Sequence, residues 1–182
     1  VAVVLLPEIA AVRAKLRPLV DQLIEHRLKQ VKYYQQEKMW PQFRATGTLL
    51  LQAPLPEHQR AALRWIGAEL NSLDAKAEEL FASTKPYRRM MNDGDVVNLL
   101  QRLRGVLSYN PDHVVAAEML EEAKAKAHGF AQGFMIRARK VGPRTPSIYR
   151  KHLERVVALV PDDELGKEAK RLLQELEARS PR

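Results

Sequence analysis

The chain has 182 residues, of which 46% are hydrophobic, 29% charged and 6% aromatic, and it contains no cysteine. A chain this long and this apolar buries a core, which excludes a disordered tail, and the missing thiols exclude disulfide scaffolds, thiolate zinc sites, CxxC redox chemistry and cysteine nucleophiles. Thirty Lys and Arg against 22 Asp and Glu leave a net charge of +8, a balance that favours acidic partners such as nucleic acid, anionic lipid or an acidic protein face without requiring one.

Residues 1–6, Val-Ala-Val-Val-Leu-Leu, form an apolar run far short of the roughly 20 residues a membrane span needs. They read as an apolar first turn packed on its own domain, with the stump of a longer upstream apolar segment as the alternative. Ile9, Val12, Leu16, Leu19, Leu23, Leu28, Val31 and Tyr34 then recur mostly at three and four residues. That spacing predicts one apolar stripe along a long helix, with a bend at Pro18. Residues 1–27 are accordingly set apart as an N-terminal helix, and 28–182 as a helical repeat domain. Residues 46–51 have β-branched and aliphatic content, but their neighbours read as a helix after Pro41.

Ala62, Ile66, Leu70, Leu73, Ala77 and Leu80 mark a second long helix over 57–82. Asp93-Gly94-Asp95 reads as a turn followed by a cap, ahead of a shorter helix marked by Val96, Leu100, Leu103 and Leu107. Asn110-Pro111-Asp112 supplies a side-chain acceptor and a first-turn proline for a helix from 113. Ala116, Leu120, Ala123, Ala127, Phe130 and Phe134 continue that helix, and Gly142-Pro143 stops it. Thr145-Pro146 opens the next, marked by Tyr149, Leu153 and Val156. Leu165, Ala169, Leu172 and Leu176 mark the last. The expectation is an all-α fold of about seven helices in antiparallel hairpins.

Three segments end alike, in Leu49-Leu50-Leu51-Gln52-Ala53-Pro54, Val106-Leu107-Ser108-Tyr109-Asn110-Pro111 and Val156-Val157-Ala158-Leu159-Val160-Pro161. Each is a short amphipathic helix running into proline, followed by the acidic start of another helix. Residues 94–123 resemble the tetratricopeptide repeat family without a gap: Gly94 through Pro111 looks like its second helix, and Asn110 through Ala123 like the crossing into the next first helix. The match is fair over 144–178 and looser over 28–56, where Trp40 and Phe43 precede Leu49 and Pro54. The spacing of the three prolines, 57 and 50 residues, exceeds the family's unit of about 34, with the extra length in the first helices and in the insertion 83–93. The resemblance implies hairpins stacked as a right-handed array. It also implies a peptide-binding concave face built from first helices, where 113–127 offers Glu118, Glu121 and Glu122 around Leu120, with Lys124 and Lys126. The Lys-x-x-x-Asn pattern of the family's carboxylate clamp is missing from 28–40 and 57–82.

Residues that carry chemistry are scarce. None of the five histidines, His26, His58, His113, His128 and His152, follows a glutamate by three residues, and no two stand four apart, so neither the Glu-x-x-His di-iron pattern nor the HExxH zinc pattern is present. The eight glycines form no phosphate loop. Neither a catalytic group, a metal nor a cofactor is expected. The strongest charge feature is 137–155, where Arg137, Arg139, Lys140, Arg144, Arg150, Lys151 and Arg155 stand against Glu154 alone. It reads as an anion-recognising tip or as a solvated turn with basic residues favoured at a helix C-terminus. Lys85, Arg88 and Arg89 with Tyr87 form a weaker group, either a stacking patch or a cover for the end of helix 57–82. The expected function is a non-catalytic scaffold or adaptor for a protein or peptide partner, within a larger protein or assembly. A basic nucleic-acid-binding domain is the alternative, and a dimerising or membrane-anchored segment is a third. The compartment stays open, with a cytoplasmic or membrane-associated setting favoured over a secreted one.

Overall fold

The structure is a computed structural model that describes residues 2–179, with the side chains of 2–10, Arg13, His58 and Arg179 outside the description. The expected packing of residues 1–6 falls among those. Seven α-helices make up the described chain, and no strand occurs among the described residues. They are α1 (Ala2–Gln36), α2 (Trp40–Gln52), α3 (Glu57–Ala82), α4 (Asp93–Tyr109), α5 (Val114–Val141), α6 (Pro146–Leu159) and α7 (Glu164–Arg179), with a 3-10 turn at Lys85–Tyr87. The chain divides into two compact units, Val1–Ala75 and Lys76–Arg182. The boundary expected at 27/28 falls inside α1, which continues without a break through Pro18 to Gln36.

In the first unit α1 packs on α2, and Val31, Phe43, Leu50, Leu63, Ile66 and Leu73 are buried. The ring of Phe43 meets Trp40 edge-on at 6.3 Å and Trp65 at 6.2 Å, while Arg44 donates to Asp74 at 2.6 Å. The single stripe expected along α1 divides here. Val31 is buried and Ile24, Leu28 and Tyr34 are half-buried, whereas Val12, Leu16, Leu19 and Leu23 stand in solvent.

In the second unit α5 packs against both α4 and α6, and α6 packs against α7. The buried face of α5 is mostly alanine, at 116, 123, 127, 131 and 138, with Leu120, Phe134 and Met135 between. Small side chains on this face let two neighbouring helices approach one central helix. Leu99, Leu103, Leu153, Val156, Leu159, Ala169 and Leu176 complete the core from the flanking helices.

The helix starts differ in detail from the sequence reading. Asn92, not Asp93-Gly94-Asp95, caps α4: its side chain accepts from the Asp95 N–H at 2.9 Å. Asp95 in turn accepts from the Met91 N–H at 3.2 Å, a reciprocal arrangement that satisfies two otherwise unpaired donors. Helix α5 begins one residue later than expected, capped by His113, whose Nδ1 accepts from the Ala116 N–H at 3.1 Å. Asn110 serves the turn instead, accepting from the Asp112 N–H at 3.1 Å, so Pro111 precedes the helix and is not in its first turn. Pro146 does open α6, but the Thr145 side chain makes no capping bond.

Candidate functional site

The basic segment 137–155 is split between the C-terminal end of α5, the turn after it and α6. Much of its charge is engaged. Arg139 reaches both carboxylate oxygens of Glu168 at 3.1 Å, Arg150 pairs with Glu177 at 3.2 Å, and Arg155 lies 3.6 Å from Asp93. Arg137 and Arg155 also come together over the Phe134 ring, at 5.4 and 4.9 Å from its centroid. His152 stacks on the same ring at 5.9 Å. Its Nδ1 is buried without a protein hydrogen-bond partner, and desolvation, followed by the charges of Arg137, Arg155 and Lys151, holds its pKa below the ordinary histidine range. Lys140, Arg144 and Lys151 project into solvent. Two of the carboxylates that pair with this segment lie 27 and 29 residues away on α7 and the third, Asp93, at the start of α4, where no local charge pattern announces them.

The group at 85–89 separates by role. Arg88 donates to the Thr84 hydroxyl at 3.0 Å and to the Phe81 carbonyl at 3.1 Å, and covers the Phe81 ring at 4.4 Å. It closes the C-terminal end of α3, where the last carbonyls have no partner within the helix. Tyr87 packs on the second unit's core with Arg102 over its ring at 5.2 Å. Lys85 and Arg89 are exposed.

Sequence reasoning did not anticipate a groove of about 670 Å³ in the second unit. Leu100, Leu120 and Leu159 give it an apolar floor. Arg104 of α4, Glu121, Lys124 and His128 of α5, and Asp162 and Asp163 before α7 form a rim of both charges. Leu120, Glu121 and Lys124 belong to the face singled out within 113–127; the opposite wall comes from the turn after α6, a contribution that only tertiary packing reveals. His128 is fixed at both ring nitrogens. Gln132 donates to Nε2 at 2.9 Å, which leaves the Nδ1–H to donate to Asp163 at 3.1 Å. The second oxygen of Asp163 accepts from the Gly166 N–H at 2.8 Å and caps α7. This His–Asp pair therefore ties α5 to the start of α7, with neither imidazole nitrogen left for a substrate. Among the described residues no three His, Asp or Glu side chains come together to hold a metal ion, and no helix is long and apolar enough to cross a membrane.

No protein family, curated protein or solved structure matches this chain.

Proposed function

We propose that the chain is a non-catalytic scaffold or adaptor whose second unit is a tetratricopeptide-like array of antiparallel hairpins that holds a peptide segment of another protein. The groove floored by Leu100, Leu120 and Leu159 carries this reading. An apolar floor with a few convergent polar groups on its rim suits a bound segment, and a rim of both signs suits peptide more than a polyanion. Packing of α5 between α4 and α6, with α7 continuing on α6, supports the stacked arrangement, as do the turns at Asn110-Pro111 and Val160-Pro161.

A displayed peptide library panned on the whole chain tests it. Selected peptides should lose at least about tenfold in affinity on Arg104→Glu with Lys124→Glu, a change of about 1.4 kcal/mol or more. The same peptides should keep their affinity when Lys140, Arg144 and Lys151 are reversed. Peptides indifferent to the groove variants would remove this site.

A nucleic-acid-binding domain is the competing reading, favoured by the solvent-facing Lys140, Arg144 and Lys151. Its mark is binding that falls steeply with salt.

A further inference from the structure

Arg139 and Arg150 show how this fold neutralises an arginine, with a glutamate of α7 against each. Phe134 gathers the opposite arrangement. Arg137 of α5 and Arg155 of α6 lie over its ring at 5.4 and 4.9 Å from the centroid, and His152 of α6 stacks on it at 5.9 Å with the planes 29° apart. No carboxylate pairs with Arg137 among the described residues. Asp93, in the first turn of α4, reaches Arg155 only loosely, at 3.6 Å. Lys151 adds a third cation to the field at the imidazole, and Glu154, next to it on α6, is exposed. Packing does not require two guanidiniums and an imidazole on one ring, and like charges gathered there repel.

The cluster has the donors to hold an anion. Stacking on a ring engages the flat face of a guanidinium and leaves its edge N–H groups, the fork that grips an oxyanion, available. His152 adds a group whose charge can change. Its Nδ1 is buried and unpaired, and desolvation, then Arg137, Arg155 and Lys151, holds its pKa below the ordinary range. An anion beside the ring opposes those three charges, so the imidazole takes up a proton as the anion binds. Two guanidiniums and an imidazolium match a doubly charged oxyanion better than a singly charged carboxylate. Both guanidiniums are drawn onto a ring that is itself 5% exposed. The cluster is therefore a point site for one small anion, whereas a nucleic-acid backbone meets the projecting Lys140, Arg144 and Lys151 first.

We propose that Arg137, Arg155 and His152 around Phe134 form a binding site for a single phosphate group, free or as a monoester, separate from the groove floored by Leu100, Leu120 and Leu159. Binding is coupled to the proton on His152, so it is tighter at about pH 6 than at about pH 8.

Proton NMR of the His152 ring in the whole chain, with His152→Phe to assign the signal, tests this. Inorganic phosphate should shift the signal saturably, with a Kd of about a millimolar or tighter, and should raise the midpoint at which the ring titrates. Sodium chloride at matched ionic strength screens the cations but should show no saturation. Sulfate, whose charge stays fixed where phosphate itself titrates, should bind more tightly at the lower pH. Arg137→Ala and Arg155→Ala should each weaken phosphate about tenfold or more. Arg137 holds no ion pair, so its alanine variant should keep the wild-type circular dichroism. Lys140→Glu with Arg144→Glu should leave phosphate binding nearly unchanged. Glycerol 3-phosphate and phosphatidic acid vesicles carry the same monoester: a response to the first assigns a soluble ester, and a response to vesicles alone, lost in Arg137→Ala, assigns a lipid headgroup at the same cluster. The proposal is overturned by the absence of a saturable shift with all of these, by a shift that chloride reproduces, or by a loss in the Lys140–Arg144 variant as large as in the two alanine variants.

Discussion

Single side chains in the second unit make two sharp demands. Gly166 lies in the first turn of α7, and a Cβ built there would collide with the Val160 carbonyl oxygen. Gly166→Ala should therefore cost about 1–3 kcal/mol or more, as an overpacked site does, read as a lower urea midpoint with an unchanged slope. His152 makes the other demand. Its ring is pressed on Phe134 among Arg137, Arg155 and Lys151, and its pKa in the folded chain is lowered from 6.5. A depressed histidine favours the folded state while both states are neutral. That contribution is full above 6.5 and is lost as pH falls from there through the lower folded value. Urea midpoints measured down this range should drop, and His152→Phe, which keeps the stacked ring, should flatten the drop. A slope unchanged in the variant would assign the effect to another group.

At the scale of whole helices, the apolar spacing and the prolines made most of the architecture legible, because a helix buried on one side must repeat its apolar residues at three and four. Leu103 and Leu120 share one core cluster, as expected for neighbouring helices, and Leu120→Ala should cost about 2–5 kcal/mol in a denaturant titration. The starts of α4 and α5 were less legible. Asn92, Asp93 and Asp95 stand together at one start and Asn110 and Asp112 at the other, and only the backbone path decides which of them meets a free N–H. Asn92→Ala should destabilise by about 1 kcal/mol, whereas Asp93→Ala, at a residue that does not cap α4, should fall well below that; equal losses would remove Asn92 as the cap. The stripe of α1 shows the other limit. Periodicity identifies a face that can be covered, but Val12 and Leu28 are equally apolar, and nothing local says that only the second lies against this chain.

For the whole molecule the question is whether a net charge of +8 acts as a binding surface. Residues 137–155 read in sequence as seven positive charges against one, yet Glu168, Glu177 and Asp93 each neutralise one arginine of the set, and Arg137 lies over Phe134. These carboxylates come from α7 and from the start of α4, so the sequence alone overstates the local field. Lys140, Arg144 and Lys151 are the exposed cations of this segment with neither a carboxylate nor a ring against them, and they are the ones best placed to meet phosphates. Counterion release then predicts that log K for random RNA or duplex DNA falls against log salt with a slope of about −3, since each phosphate contact contributes roughly −0.9. Affinity at physiological salt should be no better than the roughly micromolar limit of non-specific binding. Reversing Lys140, Arg144 and Lys151 to glutamate should abolish that binding and leave the urea midpoint in place, because exposed charges contribute little to stability. Titrations at two salt concentrations give both numbers. Submicromolar binding with a slope well beyond −3 would require more phosphates than these three residues can contact, and the basic surface would then displace the groove as the centre of function.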